Sequence, residues 1–296
     1  MKIDSMNIFI YTRKVEQEQQ EALGQLLEKL IRRGCSLMVQ EKFLNYLPMS
    51  FEWRAQLTIV EEISIIQQID LVLSVGGDGT ILEVSRLINA YRVPILGINS
   101  GRLGFLSQLS FTEFEKAIEE IVNQDFEIEH RAGIAVIPNE EDETPLPIAL
   151  NEVALLGHPH NTMISVHVYV NDIFLATYWA DGIMLATPTG STAYSLSCGG
   201  PIVSPDTGSF IITPIAPHNL NVRPLIIPNS SKVTFIPESR EGKFMMVIDG
   251  ESHFVGSEAK IQLKKADVEL RLVRLRNEHF FKSIRTKLGW GFDKRN

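Results

Sequence analysis

The sequence predicts an α/β N-terminal domain with a parallel sheet and a C-terminal β-rich, sandwich-like domain, α+β overall. Three observations carry this. Strand and helix signals alternate over roughly the first 120 residues, the pattern of a parallel sheet covered by helices. From about residue 130 short alternating strands replace them, punctuated by Gly, Pro, Asn and Asp. The composition, 44% hydrophobic and 22% charged over 296 residues, is that of a globular chain able to bury a full core.

The elements follow in order. Asn7 to Tyr11 reads as a first strand. Leu23, Leu26, Leu27, Leu30 and Ile31 fall on one face of a helix that Gly34 stops. Ser36–Val39 and Leu71–Val75 read as strands, Ile81–Ala90 as a helix and Pro94–Ile98 as a strand. Thr112 with Glu115 forms a capping box before FEKAIEEIV. NEEDET, residues 139–144, reads as a solvated loop. Met163–Val170 alternates strictly, and Asn171-Asp172 turns it into IFLATYW, a hairpin. KVTFI, KFMMVI, AKIQL and VELRLV are further strands. The basic residues after Leu270 (Arg271, Arg274, Arg276, Lys282, Arg285, Lys287) are expected on a solvated helix face.

Several functions are disfavoured at once. The net charge of −8 argues against nonspecific nucleic-acid binding. No apolar run reaches the roughly 18 to 20 residues that span a bilayer. The opening MKIDSMNIFIYTRK is too briefly apolar for a signal peptide, so a cytoplasmic protein is expected. Two cysteines, Cys35 and Cys198, make no disulfide framework. Cys198 reads as a small residue in a tight turn. His158-Pro159-His160 reads as a surface loop, and residue spacing by itself assigns no metal-ligating residue.

Two glycine-rich clusters carry the chemistry. DLVLSVGGDGT, Asp70 to Thr80, ends an apolar strand on glycines around a lone acid, Asp78, just before a helix. The carboxyl edge of a parallel sheet is where such folds place ligands, and glycines allow a phosphate to approach the backbone. A carboxylate there is a base for a hydroxyl proton or a partner of phosphate-bound Mg²⁺, unless it only caps the helix. Neither GxxxxGK[ST] nor a post-strand GxGxxG is present. The second cluster, ADGIMLATPTGSTAYSLSCGGPIVSPD, offers the hydroxyls of Thr187, Thr189, Ser191 and Thr192. Tyr194 adds an aromatic face, and Ala193 lets a flat ring come close. Between the clusters, Asn151-Glu152 interrupts the apolar run ALNEVALL, where buried polar groups need partners such as sugar hydroxyls.

Together GGDGT, the isolated Asn-Glu pair and DGIMLATPTGSTAYSLSCGGP resemble the NAD kinases, and PIAPHNLNVRPL and TKLGW look like their bacterial members. The resemblance covers about residues 70 to 290. It implies residues 1–130 as an α/β domain, with the tail 275–296 packing back on it, and 131–274 as a β-rich NAD-binding domain. The implied activity is ATP-dependent phosphorylation of the adenosine-ribose 2′-hydroxyl of NAD, with a divalent metal, Mg²⁺, bridging the phosphates. Carried over by position, Asp78 is the base and Gly76, Gly77, Gly79 and Thr80 form the phosphate-facing turn. Asn151 and Glu152 meet ribose hydroxyls and the metal. Thr192, Ala193, Tyr194 and Ser197, with Ser195 and Leu196 between them, hold the adenosine end. Asp181 and Ala216 face the nicotinamide end. Trp179, Asp249 and Glu251 complete the candidates. The resemblance further implies a homo-oligomer, a dimer or tetramer. A lipid or sugar kinase of the same superfamily and a non-catalytic NAD-binding sensor are the alternatives.

Overall fold

A computed structural model describes residues 6–61, 68–88, 92–101, 104–107, 109–138, 146–157, 163–238, 243–256, 259–276 and 278–291. The expected loop at 139–144 and the His-Pro-His stretch lie outside the described residues. The chain divides into two compact units, residues 1–130 with 270–296, and residues 131–269.

The first unit is built on parallel strands in the order β3-β2-β1-β4-β5. They are β1 (Asn7–Thr12), β2 (Ser36–Val39), β3 (Thr58–Ile59), β4 (Leu71–Val75) and β5 (Ile95–Ile98). β4 is buried along its whole length, as a central parallel strand covered on both faces must be. Helix α1 (Gln17–Arg32) buries Leu23, Leu26, Leu27 and Leu30, the expected stripe, and Ile31 packs at its edge. Helix α2 spans Asp78–Ile88, three residues earlier than its first apolar position suggests. Gly79 falls in the first turn, where N–H groups lack intrahelical partners anyway, so the helix starts directly from the glycine turn. Helix α3 (Phe111–Val122) is closed by a capping box of Ser110 and Glu113, not Thr112 and Glu115. The Glu113 carboxylate accepts the Ser110 N–H at 2.8 Å, and Ser110 Oγ accepts the Glu113 N–H at 3.3 Å.

The second unit is a sandwich. One sheet has the order β12-β11-β10-β7-β14-β15, formed by β7 (Glu152–Gly157), β10 (Gly182–Ala186), β11 (Ser209–Ile215), β12 (Leu225–Pro228), β14 (Lys243–Ile248) and β15 (Glu251–Gly256). Facing it are β8 (Ile164–Val170), β9 (Ile173–Ala180) and β13 (Val233–Glu238). Val166, Val168 and Phe235 from one side meet Leu155, Leu185 and Phe244 from the other in one core. Asn171 and Asp172 both take positive φ, 52° and 63°, the paired left-handed turn that matches hairpin twist.

AKIQL and VELRLV, expected as two strands, form one strand, β16 (Ile261–Arg274). Its start pairs with β13, Leu263 opposite Val233, and Leu272 lies beside Ile95 of β5. Strand β6 (Glu127–Ile137) also pairs with β16. The basic tail is correspondingly not one solvated helix face. Arg271 and Arg274 lie in β16, and Arg274 and Arg276 pair with Glu127 and Asp125. Helix α5 (Phe280–Leu288) follows, ended by Gly289 at φ 61°.

Candidate functional site

In the first unit, β4 delivers the chain to Gly76, whose N–H donates to the Ile98 carbonyl at 2.9 Å. Gly77 and Gly79 are exposed, Thr80 is buried and Asp78 is half-buried between them. The Asp78 side chain is not merely a helix cap. Its Oδ2 accepts the Phe105 N–H at 2.7 Å, and Oδ1 accepts the N–H groups of Leu106 and Ser107 at 3.0 and 2.9 Å. The Ser107 hydroxyl adds a bond to Oδ1 at 3.2 Å. A carboxylate offers about four lone-pair positions. Oδ1 is therefore saturated, and Oδ2 retains room for one further donor. The loop that makes these contacts begins at Gly104, where a Cβ would stand 1.8 Å from Asp78 Oδ1. The sequence reading missed this loop; its signal is the glycine of GRLGF just after β5.

In the second unit the Asn-Glu pair sits at the start of β7, not in a strand interior, since the strand begins at Glu152. Both residues are organised by Asp249, itself only 9% exposed and held at φ 46° in the β14–β15 turn. Its Oδ2 accepts the Leu150 N–H at 2.6 Å, and its Oδ1 accepts those of Asn151 and Glu152 at 2.9 and 3.0 Å. The loop after β10 closes the other side. Thr187 N–H donates to the Asn151 carbonyl at 2.8 Å, and Thr187 Oγ1 donates to the Leu150 carbonyl at 2.6 Å. Gly190 lies so near that a Cβ there would meet the Asn151 carbonyl oxygen at 2.1 Å. That contact explains a glycine in the middle of TPTGSTAY.

Burial, then the nearby Asp249 charge, raises the Glu152 carboxyl to about 8, against a smaller opposing effect of a bond from the Tyr194 N–H. Glu152 is therefore mostly protonated at neutral pH. Its Oε2 is buried with no hydrogen-bond partner among the described residues. A buried polar oxygen without a partner is destabilising, and a ligand hydroxyl would satisfy it.

The short helix α4 (Tyr194–Ser197) follows directly. The Tyr194 ring is 42% exposed, available for stacking. Burial, and then the neighbouring Cys198, Asp181 and Glu152, raise its hydroxyl pKa. Thr192, Ala193 and Leu196 are half-buried and Ser197 is exposed, while Ser195 is buried with its hydroxyl 2.9 Å from Thr213 Oγ1. Ser195 thus fastens α4 to β11. Asp181 and Ala216 are neighbours, because Asp181 N–H donates to the Ile215 carbonyl at 3.0 Å. Ala216 holds φ 46°, a strained value for a residue with a Cβ and of the kind that clusters at binding sites. Trp179 is 59% exposed on β9. Glu251 is exposed on β15, 3.8 Å from His253 Nε2. Among the described residues no group of three or more His, Cys, Asp or Glu side chains is placed to hold a metal ion.

Residues 8–126 match the ATP-NAD kinase N-terminal domain, and residues 150–275 match the ATP-NAD kinase C-terminal domain. The NAD kinase of Cytophaga hutchinsonii is 42% identical over 272 residues, 92% of this chain and 93% of that protein. The NAD kinase of Flavobacterium johnsoniae is 36% identical over 294 residues, 98% of this chain and all (100%) of that protein. An NAD kinase from Archaeoglobus fulgidus, solved in complex with ATP, superposes with a TM-score of 0.74 at 27% identity, covering 96% of this chain and 99% of its own. Yeast NADH kinase, solved with NADH, shares the fold with a TM-score of 0.87 at 24% identity, covering 99% of this chain and 89% of its own. The glycine-acid turn, the Asn-Glu pair and the tyrosine loop thus stand in a chain matched over both its domains, and this chain belongs to the NAD kinase family.

Proposed function

We propose that this chain transfers the γ-phosphoryl group of ATP to the 2′-hydroxyl of the adenosine ribose of NAD, giving NADP and ADP. The observation that carries the reading is the buried Oε2 of Glu152, without a hydrogen-bond partner among the described residues, next to Asn151 in a chain that also exposes the Tyr194 ring. Such a group suits a ribose diol with an adenine ring stacked next to it.

Asp78 is read as the base. The 2′-oxygen forms a bond to the γ-phosphorus as the bond to the β,γ-bridging oxygen breaks. The 2′-hydroxyl proton goes to the open position on Asp78 Oδ2. The exposed Gly77 and Gly79 present backbone donors to the donor phosphates, and Gly76 and Thr80, whose N–H groups are bonded within the fold, shape the turn that holds them. Thr192, Ala193, Tyr194 and Ser197 hold the adenosine end, with Ser195 and Leu196 fixing the helix. Asp181 and Ala216 meet the nicotinamide end. Most of the rate then comes from positioning and charge neutralisation.

The described residues build no cage for a resident metal. Mg²⁺ is read as part of the donor, carried on the ATP phosphates with water as most of its other ligands. We read the protein as cytoplasmic, in keeping with its free thiols at Cys35 and Cys198. No helix among the described residues is long and apolar enough to cross a membrane. A homo-oligomer is supported by the outer strand β9, which leaves Ile173 73% exposed beside Phe174 and Leu175. Light scattering of the pure protein tests this, and a monomer at micromolar concentration would remove it.

The activity is tested by incubating the protein with NAD, ATP and Mg²⁺ and detecting NADP with a dehydrogenase that accepts only NADP. NAD binding without NADP formation would leave a sensor; neither would leave a kinase for another alcohol. Asp78→Asn is expected to lower turnover about 10²-fold or more while NAD still binds.

A further inference from the structure

The closing helix α5 places one amine where no surface lysine belongs. Lys287 Nζ is buried and has no hydrogen-bond partner among the described residues. It lies over the face of Phe105, 4.7 Å from the ring centroid. Phe105 is the residue whose N–H caps Asp78 Oδ2. The carboxylates that face Lys287 are Asp78 and Glu278, and Glu278 is already engaged by Lys282 Nζ at 2.5 Å. Asp78 therefore has an uncommitted cation beside it. The other basic residues of this tail behave differently: Arg274 and Arg276 are paired with carboxylates at the surface.

An ammonium held away from water without hydrogen-bond acceptors is unfavourable, and a ring face compensates for only part of that. A methionine or leucine would pack there without the penalty. Buried charges kept in such positions cluster at functional sites. We propose that Lys287 is a positioning residue for phosphoryl transfer, supplying fixed positive charge at the Asp78 turn where the terminal phosphates of a nucleoside triphosphate settle. This rests on the kinase reading above. A charge behind the turn, shielded from water, acts on an arriving phosphate more strongly than one in solvent. Burial lowers the Lys287 amine to about 8, against the opposing pull of Asp78 and Glu278, so the charge is present at neutral pH and is lost above about pH 8.

The test uses the full chain with Lys287→Met, and Lys287→Gln as a second neutral replacement. The expected result is a melting temperature unchanged or raised, with kcat/KM for ATP down roughly 10- to 100-fold and KM for NAD within about twofold of wild type. Lys287→Arg should recover part of the loss. The wild-type fall in kcat above about pH 8 should be missing from both neutral variants. Unchanged ATP kinetics would overturn the proposal. So would a loss of folding in both neutral variants, or an equal rise in KM for both substrates, since either marks a purely structural lysine. A wild-type protein that makes no NADP would instead fail the kinase reading itself and take this proposal with it.

Discussion

Asp249 Oδ1 accepts the backbone N–H of Glu152 at 3.0 Å while its negative charge opposes ionisation of the Glu152 side chain. The same carboxylate thus fixes the position of Glu152 and adds to the burial that favours its protonated form. Replacing Asp249 by Asn should undo the first and weaken the second. Three backbone N–H groups would lose a charged acceptor, and bonds to charged groups are worth about 1.5 to 3 kcal/mol each at most. We expect a stability loss of about 2 kcal/mol and roughly tenfold weaker NAD binding, read by urea melts and by calorimetric titration. Unaltered NAD affinity in a folded Asp249→Asn protein would show that the cradle under Asn151 and Glu152 does not shape the ligand site.

Glu152 makes stability depend on pH in a defined direction. Its folded value of about 8 lies above the ordinary 4.5, so between those limits the folded state holds a proton that the unfolded chain releases. Stability from this group is complete below about pH 4.5 and declines as pH rises to about 8, by a few kcal/mol at most. Glu152→Gln keeps the shape and removes the titration. Its stability relative to wild type should improve steadily from pH 5 to pH 8 in urea melts. A constant difference across that range would mean that Glu152 is ionised in the folded protein.

Gly104→Ala places a methyl group on the Asp78 carboxylate, 1.8 Å from Oδ1 in the unrelaxed geometry. Either the loop or the carboxylate must move, and misplacing a catalytic group by about 1 Å is enough for a loss near 10²-fold. Turnover should fall at least tenfold with KM for NAD little changed. Gly101→Ala is the control, because nothing lies within 4 Å of a Cβ there. Equal activity in the two variants would separate the Gly104 loop from the reaction.

Tyr194→Ala should raise KM for NAD about tenfold, since stacking of a base on an aromatic ring is worth about 1 to 3 kcal/mol. The ring is 42% exposed, so melting should change little. A fall in kcat at constant KM would contradict a stacking role and point to a part in the chemistry.

Much of this was legible in the sequence because local rules and the tertiary fold agree. The Leu23–Leu30 stripe, the Asn171-Asp172 turn and the alternation from Ile164 to Val170 each state their own structure. The capping box was displaced because two overlapping Ser/Thr-x-x-Glu patterns precede α3, and only the path of the chain out of β5 selects Ser110. The apolar content of β16 reads as two strands because Lys264, Lys265 and Asp267 break the run, although the backbone continues through them. Asn151-Glu152 announced itself as polarity in an apolar run. What holds it did not, since Asp249 is 97 residues from Glu152 and a lone acid in an Asp-Gly turn has an ordinary local explanation. Lys287 was likewise counted among tail cations, because no local pattern shows which amine is withdrawn from solvent.

The bonds from Phe105, Leu106 and Ser107 give Asp78 a structural duty beside its proposed part as base. Coupling an amine to this carboxylate with a carbodiimide would leave a neutral amide that no longer offers two charged oxygens to the three N–H groups and that cannot take up a proton. The protein so labelled should show faster deuterium uptake at residues 105–107 along with its inactivation. A single covalent adduct on this side chain would therefore unlatch a chain segment 27 to 29 residues downstream.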